Sequence, residues 1–261
     1  MSERRQDERL DLRGDATMLG SKSAMNASGY QLTRSQIEAV NRIFPKLKDW
    51  SRSEETLEWL SSIVPAFDGP STLVKTITVN ALMGTQIYAL TAMASHVASI
   101  VEKRDLTQAG PELIDEIGNF THGEKKRNCI SFASKFAHFF IDSSRFPIKD
   151  DYATRMVKFH LQGVGHVSGG TYAAFFSNVD ALKKNYELVA ISYRELDHYL
   201  WFSGKYREGT RKPPFEKRGR RREGRKESKD AQSKEKRLQR FLREVAAADC
   251  ANDLKIVLGE S

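Results

Sequence analysis

Two kinds of residue in this chain are placed to do chemistry together, a lysine inside an apolar helical run and a pair of carboxylates beyond it. Lys135 stands in ISFASKFAHFF, flanked by Phe132, Ala133, Phe136, Ala137, Phe139 and Phe140. An ammonium buried among such neighbours loses hydration, which favours the neutral amine and makes it available as a nucleophile. Phe146-Pro147-Ile148 then leads to Asp150 and Asp151. Pro147 excludes helix at that point, so the acids are expected to open the next one. A carboxylate at a helix N-terminus is held ionised and fixed in direction, which suits it to stabilise a developing oxocarbenium ion. An amine and a carboxylate facing one sugar carbon are what cleavage of an N-glycosidic bond needs. The amine, or a water activated by the acid, attacks the anomeric carbon and the base leaves.

Each feature also has an ordinary counterpart. Lysines on apolar helices commonly keep the ammonium in water, and aspartates at helix starts are commonly caps, a role expected for one of these two. His138 reads as a packed helix histidine rather than a ligand.

The order of these residues resembles the helix-hairpin-helix superfamily of base-excision DNA glycosylases. SFASKFAHFF followed by FPIKDDYATRMV is similar to the family's lysine helix, hydrophobic segment and aspartate, and Arg155 and Val157 fall where the family commonly has an arginine and an apolar residue. VNALMGTQIY resembles the family's early helix ending in a Ser-Ala-Gln type sequence. The resemblance runs from about Phe67 to Leu161 and extends to Trp201. It implies a two-lobed helical fold with Lys135 as the catalytic lysine. The aspartate is Asp150 by the Phe-Pro-Ile register or Asp151 by its spacing to Arg155. Gln86 would sit at a DNA-intercalating loop, with Asn80, Lys125, Lys126, Arg127 and Arg155 as further DNA contacts. Gln86 or Tyr88 would fill the gap left by a flipped base, and Phe136, Tyr152 and Trp201 would line the base pocket. The family's glycine-rich hairpin is replaced by EKKRNCISFAS, where Lys125, Lys126 and Arg127 would meet a phosphate through charge rather than backbone N–H groups. A rival alignment takes LQGVGHVSGG as the hairpin and Asp180 as the acid, but offers no lysine. The departure implies a divergent branch acting on a bulky modified base, some relatives being similar to antiviral enzymes that act on modified phage cytosines. Which base leaves, and whether strand cleavage follows, stays open.

The supporting elements are helical. TRSQIEAVNRIF places Ile37, Val40, Ile43 and Phe44 on one face behind a Thr or Ser cap, and a second helix is expected over SEETLEWLSSIV with Ser53 as cap. Ser71 to about Lys103 reads as one long central helix interrupted near Gly84, and PELIDEIGNF as a short one. Further helices are expected from Cys129 to about Ile141, from about Tyr152 to Leu161, and from about Val179 and Leu188. No period-two run marks a strand, so the expected class is mainly α. The expected divisions are a flexible lead-in over 1–30, a helical body over 31–204, a basic linker over 205–233 and a C-terminal helix over 234–258.

Charge is uneven. Between Lys205 and Arg243, seventeen Lys and Arg face six Asp and Glu, a net of +11, which leaves −3 for the rest of a chain whose total is +8. A basic segment on a near-neutral body suggests a polyanion, double-stranded DNA, bound with salt-sensitive affinity. The segment lacks an apolar face until Leu238, and no run approaches the roughly 18–20 apolar residues of a membrane span, so no membrane partner is expected. Two cysteines and a charged, apolar-poor start predict a reduced cytoplasmic protein, in the bacterial cytoplasm or nucleoid. Neither cofactor nor metal is expected, since no Cys or His pairs stand at ligand spacing, and the chain is read as a monomer. Two other functions compete. One is a noncatalytic nucleic-acid-binding helical protein in which Lys135 is structural. The other is a phosphate-processing enzyme using GVGHVSGGT, a loop without the Gly-Lys-Ser/Thr ending such sites need.

Overall fold

The computed structural model describes residues 30–163, 165, 169–210 and 229–260. The expected lead-in up to residue 29, most of the basic linker (211–228) and parts of the glycine loop lie outside them. Among the described residues the protein is mainly α, with eleven helices and one two-stranded sheet.

Helix α1 (Arg34–Ile43) starts where Thr33 and Gln36 satisfy each other's backbone N–H groups in a capping box, and it buries Ile37, Val40 and Ile43. A 3-10 turn over Phe44–Lys46 leads to α2 (Lys48–Ile63), which begins five residues before the expected Ser53 cap. Asp68 caps α3 (Gly69–Met83) through Ser71 N, with Pro70 in the first turn. The expected long central helix is therefore two helices. Gly84 takes a left-handed conformation after Met83, Gln86 follows at φ 58°, and α4 (Leu90–Val101) packs back on α3.

α5 (Glu112–Gly118) runs directly into an antiparallel hairpin of β1 (Asn119–His122) and β2 (Lys125–Asn128), which corrects the expectation that strands are absent. Cys129 N closes the hairpin on Gly118 O at 2.7 Å. A side chain at position 118 would meet Ile130, with a Cβ only 2.8 Å from its Cγ1, so glycine is required there. α6 (Ile130–Phe140) and α7 (Asp151–His160) follow, then α8 (Tyr172–Asn185) and α9 (Tyr193–Thr210). α9 passes unbroken through the expected body–linker boundary at residue 204.

The expected single C-terminal helix is α10 (Lys229–Ala247) and α11 (Ala251–Leu258), both docked on the body. α11 lies along α1, where Gln36 Nε2 donates to Val257 O. α10 inserts Phe241 among Trp50, Trp201 and Phe202. No helix of the described residues is long and apolar enough to cross a membrane.

Phe241 is fully buried, so Phe241→Ala is expected to lower unfolding free energy by about 3–5 kcal/mol. Urea denaturation checks this; a loss below about 1 kcal/mol would mean that α10 does not dock.

Candidate active site

The short segment Phe146–Lys149, which joins α6 to α7, decides where Asp150 stands, and three side chains pin its backbone. His138 Nδ1 donates to Phe146 O at 2.9 Å, and Tyr172 Oη to Pro147 O at 2.7 Å. Lys149 N donates to Ser134 Oγ at 3.0 Å, which returns a longer bond to Lys149 O. His138 is thus the packed histidine expected, and burial lowers its pKa to about 4. Ser134 and His138 lie on either side of Lys135, so the helix that carries the lysine also holds the turn that presents the acid.

Asp150 is the N-cap of α7, with one carboxylate oxygen accepting from Ala153 N at 2.8 Å. The other lies 3.9 Å from Lys135 Nζ. Lys135 is 8% exposed and donates to Met83 O at 3.3 Å, the last residue of α3 before the Gly84–Gln86 turn. The amine is therefore enclosed, not snorkelling, between a carboxylate fixed by a helix terminus and a main-chain carbonyl. Asp151 is the first residue of α7, exposed, and makes no ion pair with Lys135. Of the two acids, Asp150 is the one that faces Lys135.

A third acid joins them. Asp197 on α9 has its carboxyl pushed well above the usual range, first by burial, then by the charges of Asp150 and Glu54, with Lys135 opposing. It forms no hydrogen bond with any described residue and keeps partial exposure. Sequence reasoning missed Asp197 because its neighbours come from other helices. The available signal was its i, i+4 relation to Trp201, which was already a candidate.

The remaining candidates divide. Phe136 is a correction: it is fully buried between Phe67, Phe132 and Phe140 rather than facing a ligand. Asn80 is another, because its amide is used internally. Its oxygen accepts from Thr85 Oγ1 and Ile87 N, and its nitrogen donates to Ile87 O. These bonds hold the turn in which Gln86 adopts its left-handed backbone, a conformation that costs a non-glycine residue about 1–2 kcal/mol. Gln86 is exposed, and Tyr88 beside it is 80% exposed with the Arg127 guanidinium 5.6 Å from its ring. Lys125, Lys126 and Arg127 are all exposed on β2. Arg155 is exposed, stacked on Tyr152 and paired with Glu208. Tyr152 is half-buried, and burial with Glu208 raises its hydroxyl pKa. Trp201 packs beside Trp50 and Phe241. Among the described residues no three His, Cys, Asp or Glu side chains converge to hold a metal ion.

Residues 32–144 match the model of a family described as HI_0787_N, N-terminal domain, a stretch that includes Lys135 and stops short of Asp150. A Haemophilus influenzae protein named only as uncharacterized is 27% identical over 142 residues, 48% of this chain. The match spans 62% of that protein's length. No solved structure matches the chain.

The state of Asp197 can be read from stability. Its folded pKa is raised, so the folded protein binds the extra proton and the native state loses stability as pH rises above the unfolded value near 3.8. Asp197→Asn removes that loss and is expected to melt several degrees higher than wild type at pH 8. The gap should close as pH falls towards 4. Melting curves that shift equally at all pH values would show an ionised carboxylate instead.

Proposed function

We propose that the protein is a DNA glycosylase that flips a modified or damaged base out of the duplex and cleaves its N-glycosidic bond. The observation that carries this reading is the enclosed pair of Lys135 Nζ and the capping Asp150 carboxylate, 3.9 Å apart. Lys135 attacks the anomeric carbon, and Asp150 takes the proton that the ammonium sheds. As the C1′–Nζ bond forms, the bond to the base breaks, and the leaving base takes its proton from Asp197, whose carboxyl burial biases towards the protonated form. Opening of the sugar ring then gives a Schiff base, from which loss of a C2′ proton expels the 3′ phosphate and cuts the strand.

The surface supports a duplex partner. Tyr88 and Gln86 project from a turn whose preceding carbonyl holds Lys135, so a side chain entering the base stack is linked directly to the nucleophile. Lys125, Lys126 and Arg127 supply phosphate contacts from a β-ribbon, where the resembling family uses a glycine hairpin. Flipping costs a few kcal/mol of unstacking. DNA carrying modified cytosines, as in some phages, is one substrate class to include. Noncatalytic nucleic-acid binding is the competing reading, favoured by the exposed basic ribbon and by the net charge of +11 between Lys205 and Arg243, and it requires that Lys135→Ala and Asp150→Asn leave cellular activity intact.

Borohydride reduction in the presence of abasic and modified duplexes tests the chemistry. Wild type is expected to form a covalent DNA adduct. Lys135→Ala should form none, and Asp150→Asn, which can still accept at the cap, should form it at least about 10²-fold more slowly. An undiminished adduct in Lys135→Ala would remove that residue from the mechanism.

A further inference from the structure

A cavity of about 120 Å³, lined by neither Lys135 nor Asp150, lies where α7, α9 and α11 meet Tyr30. Met156, Val257 and Leu258 give it an apolar wall. Tyr199, Ser203 and Arg207, at i, i+4 and i+8 on one face of α9, give it a polar one.

The polar groups are not equally engaged. Tyr199 Oη stands between Tyr30 Oη and His160 Nε2, 3.3 Å from each, and Tyr30 Oη accepts from Gln36 Nε2 at 2.8 Å. The two phenols are thus occupied within the protein. Ser203 is 6% exposed, and its Oγ, although near the Tyr199 hydroxyl, is left without a hydrogen-bond partner among the described residues. The Arg207 guanidinium is half-buried, 3.9 Å from the ring centroid of Phe159 and 5.9 Å from that of Tyr30. It forms no hydrogen bond or ion pair with any described residue. Arg145 provides the contrast. It too lies against a ring, that of Phe146, but it donates to the carbonyls of Leu106 and Ala109.

The nearby acids leave Arg207 unneutralised. Glu208 pairs with Arg155, and Glu260, whose charge adds to burial in raising the Tyr206 pKa, makes no ion pair with Arg207. The charge of Arg207 instead acts inward, where after burial it helps lower the His160 pKa to about 3. A planar fork of N–H donors matches the two oxygens of a carboxylate, and a buried hydroxyl without a partner calls for an acceptor. Water satisfies such donors but gains nothing from an apolar wall. Since a cavity of roughly 150 Å³ holds benzene, this one admits a ligand of about six heavy atoms or fewer.

We propose that this cavity is a binding site for a small monocarboxylate, whose carboxylate pairs with Arg207 and accepts from Ser203 Oγ while its short alkyl chain lies against Met156, Val257 and Leu258. The site is separate from the excision chemistry, and its occupancy is read without DNA.

Calorimetric titration of the full chain with butyrate, its uncharged isostere butyramide and inorganic phosphate tests the assignment. Wild type is expected to bind butyrate saturably, at least about tenfold more tightly than butyramide, the worth of a charge-assisted hydrogen bond. Phosphate, which has no alkyl chain to bury, should bind more weakly than butyrate. Arg207→Gln should remove the preference for butyrate over butyramide, and Arg207→Lys, which keeps the charge but not the fork, should retain part of it. Ser203→Ala should weaken butyrate about threefold without lowering the melting temperature, because it deletes a buried hydroxyl that the ligand-free fold leaves unpaired. That variant separates lost binding from lost folding. Butyrate that fails to bind wild type, or that binds no better than butyramide, overturns the proposal. Phosphate binding more tightly than butyrate overturns the carboxylate class.

Discussion

The site depends on one constraint, the enclosure of the Lys135 ammonium. Removing such a cation from water costs several kcal/mol unless charge and hydrogen bonds replace the solvent. Here Asp150 supplies the charge and Met83 the carbonyl. Asp150 can do so in a fixed direction because its other oxygen is committed to the first turn of α7. The cap and the counter-ion are one side chain, so the geometry of the pair is as rigid as the start of the helix. The Lys135 and Asp150 side chains keep only 10% and 16% of their exposure, which limits screening of the interaction by water.

That arrangement joins the buried chemistry to the surface. Met83 O belongs to the end of α3, and the chain turns immediately through Gly84 and Gln86 to the exposed Tyr88. Asn80 stiffens the turn with three hydrogen bonds. On the other side, α9 brings Asp197 and Lys205 toward the same pair, one with its carboxyl pKa raised by burial and the other set on the face of Trp50. Four titratable groups in different environments thus have different jobs available to them. Lys135 and Asp150 face each other, burial biases the Asp197 carboxyl towards its protonated form, and the Lys205 ammonium rests on aromatic faces.

What could be read in the sequence was local. The capping box of α1 needs only Thr33 and Gln36, three residues apart, and the order of Lys135 and Asp150 is carried by one helix, one proline and one cap. The choice between Asp150 and Asp151 needed the tertiary fold, because adjacent residues at a helix start differ only in which way they face. Phe136 was misplaced since an aromatic type does not reveal whether it faces a pocket or the core. The hairpin of β1 and β2 escaped detection because Lys125–Asn128 is exposed throughout and carries no period-two pattern. The apolar run across Gly84 concealed a reversal that left-handed residues at 84 and 86 make possible. Asp197 and Lys205 acquire their character from helices distant in sequence, so nothing near them in the chain announces it.

The central claim is that Lys135, set by Asp150, breaks a glycosidic bond. Its most direct test is to incubate the protein with genomic DNAs carrying different base modifications and to identify released free bases by mass spectrometry. The account predicts a free modified base from at least one DNA with wild type, and none with Lys135→Ala. Equal release by both proteins, or no release from any of the DNAs, would contradict it.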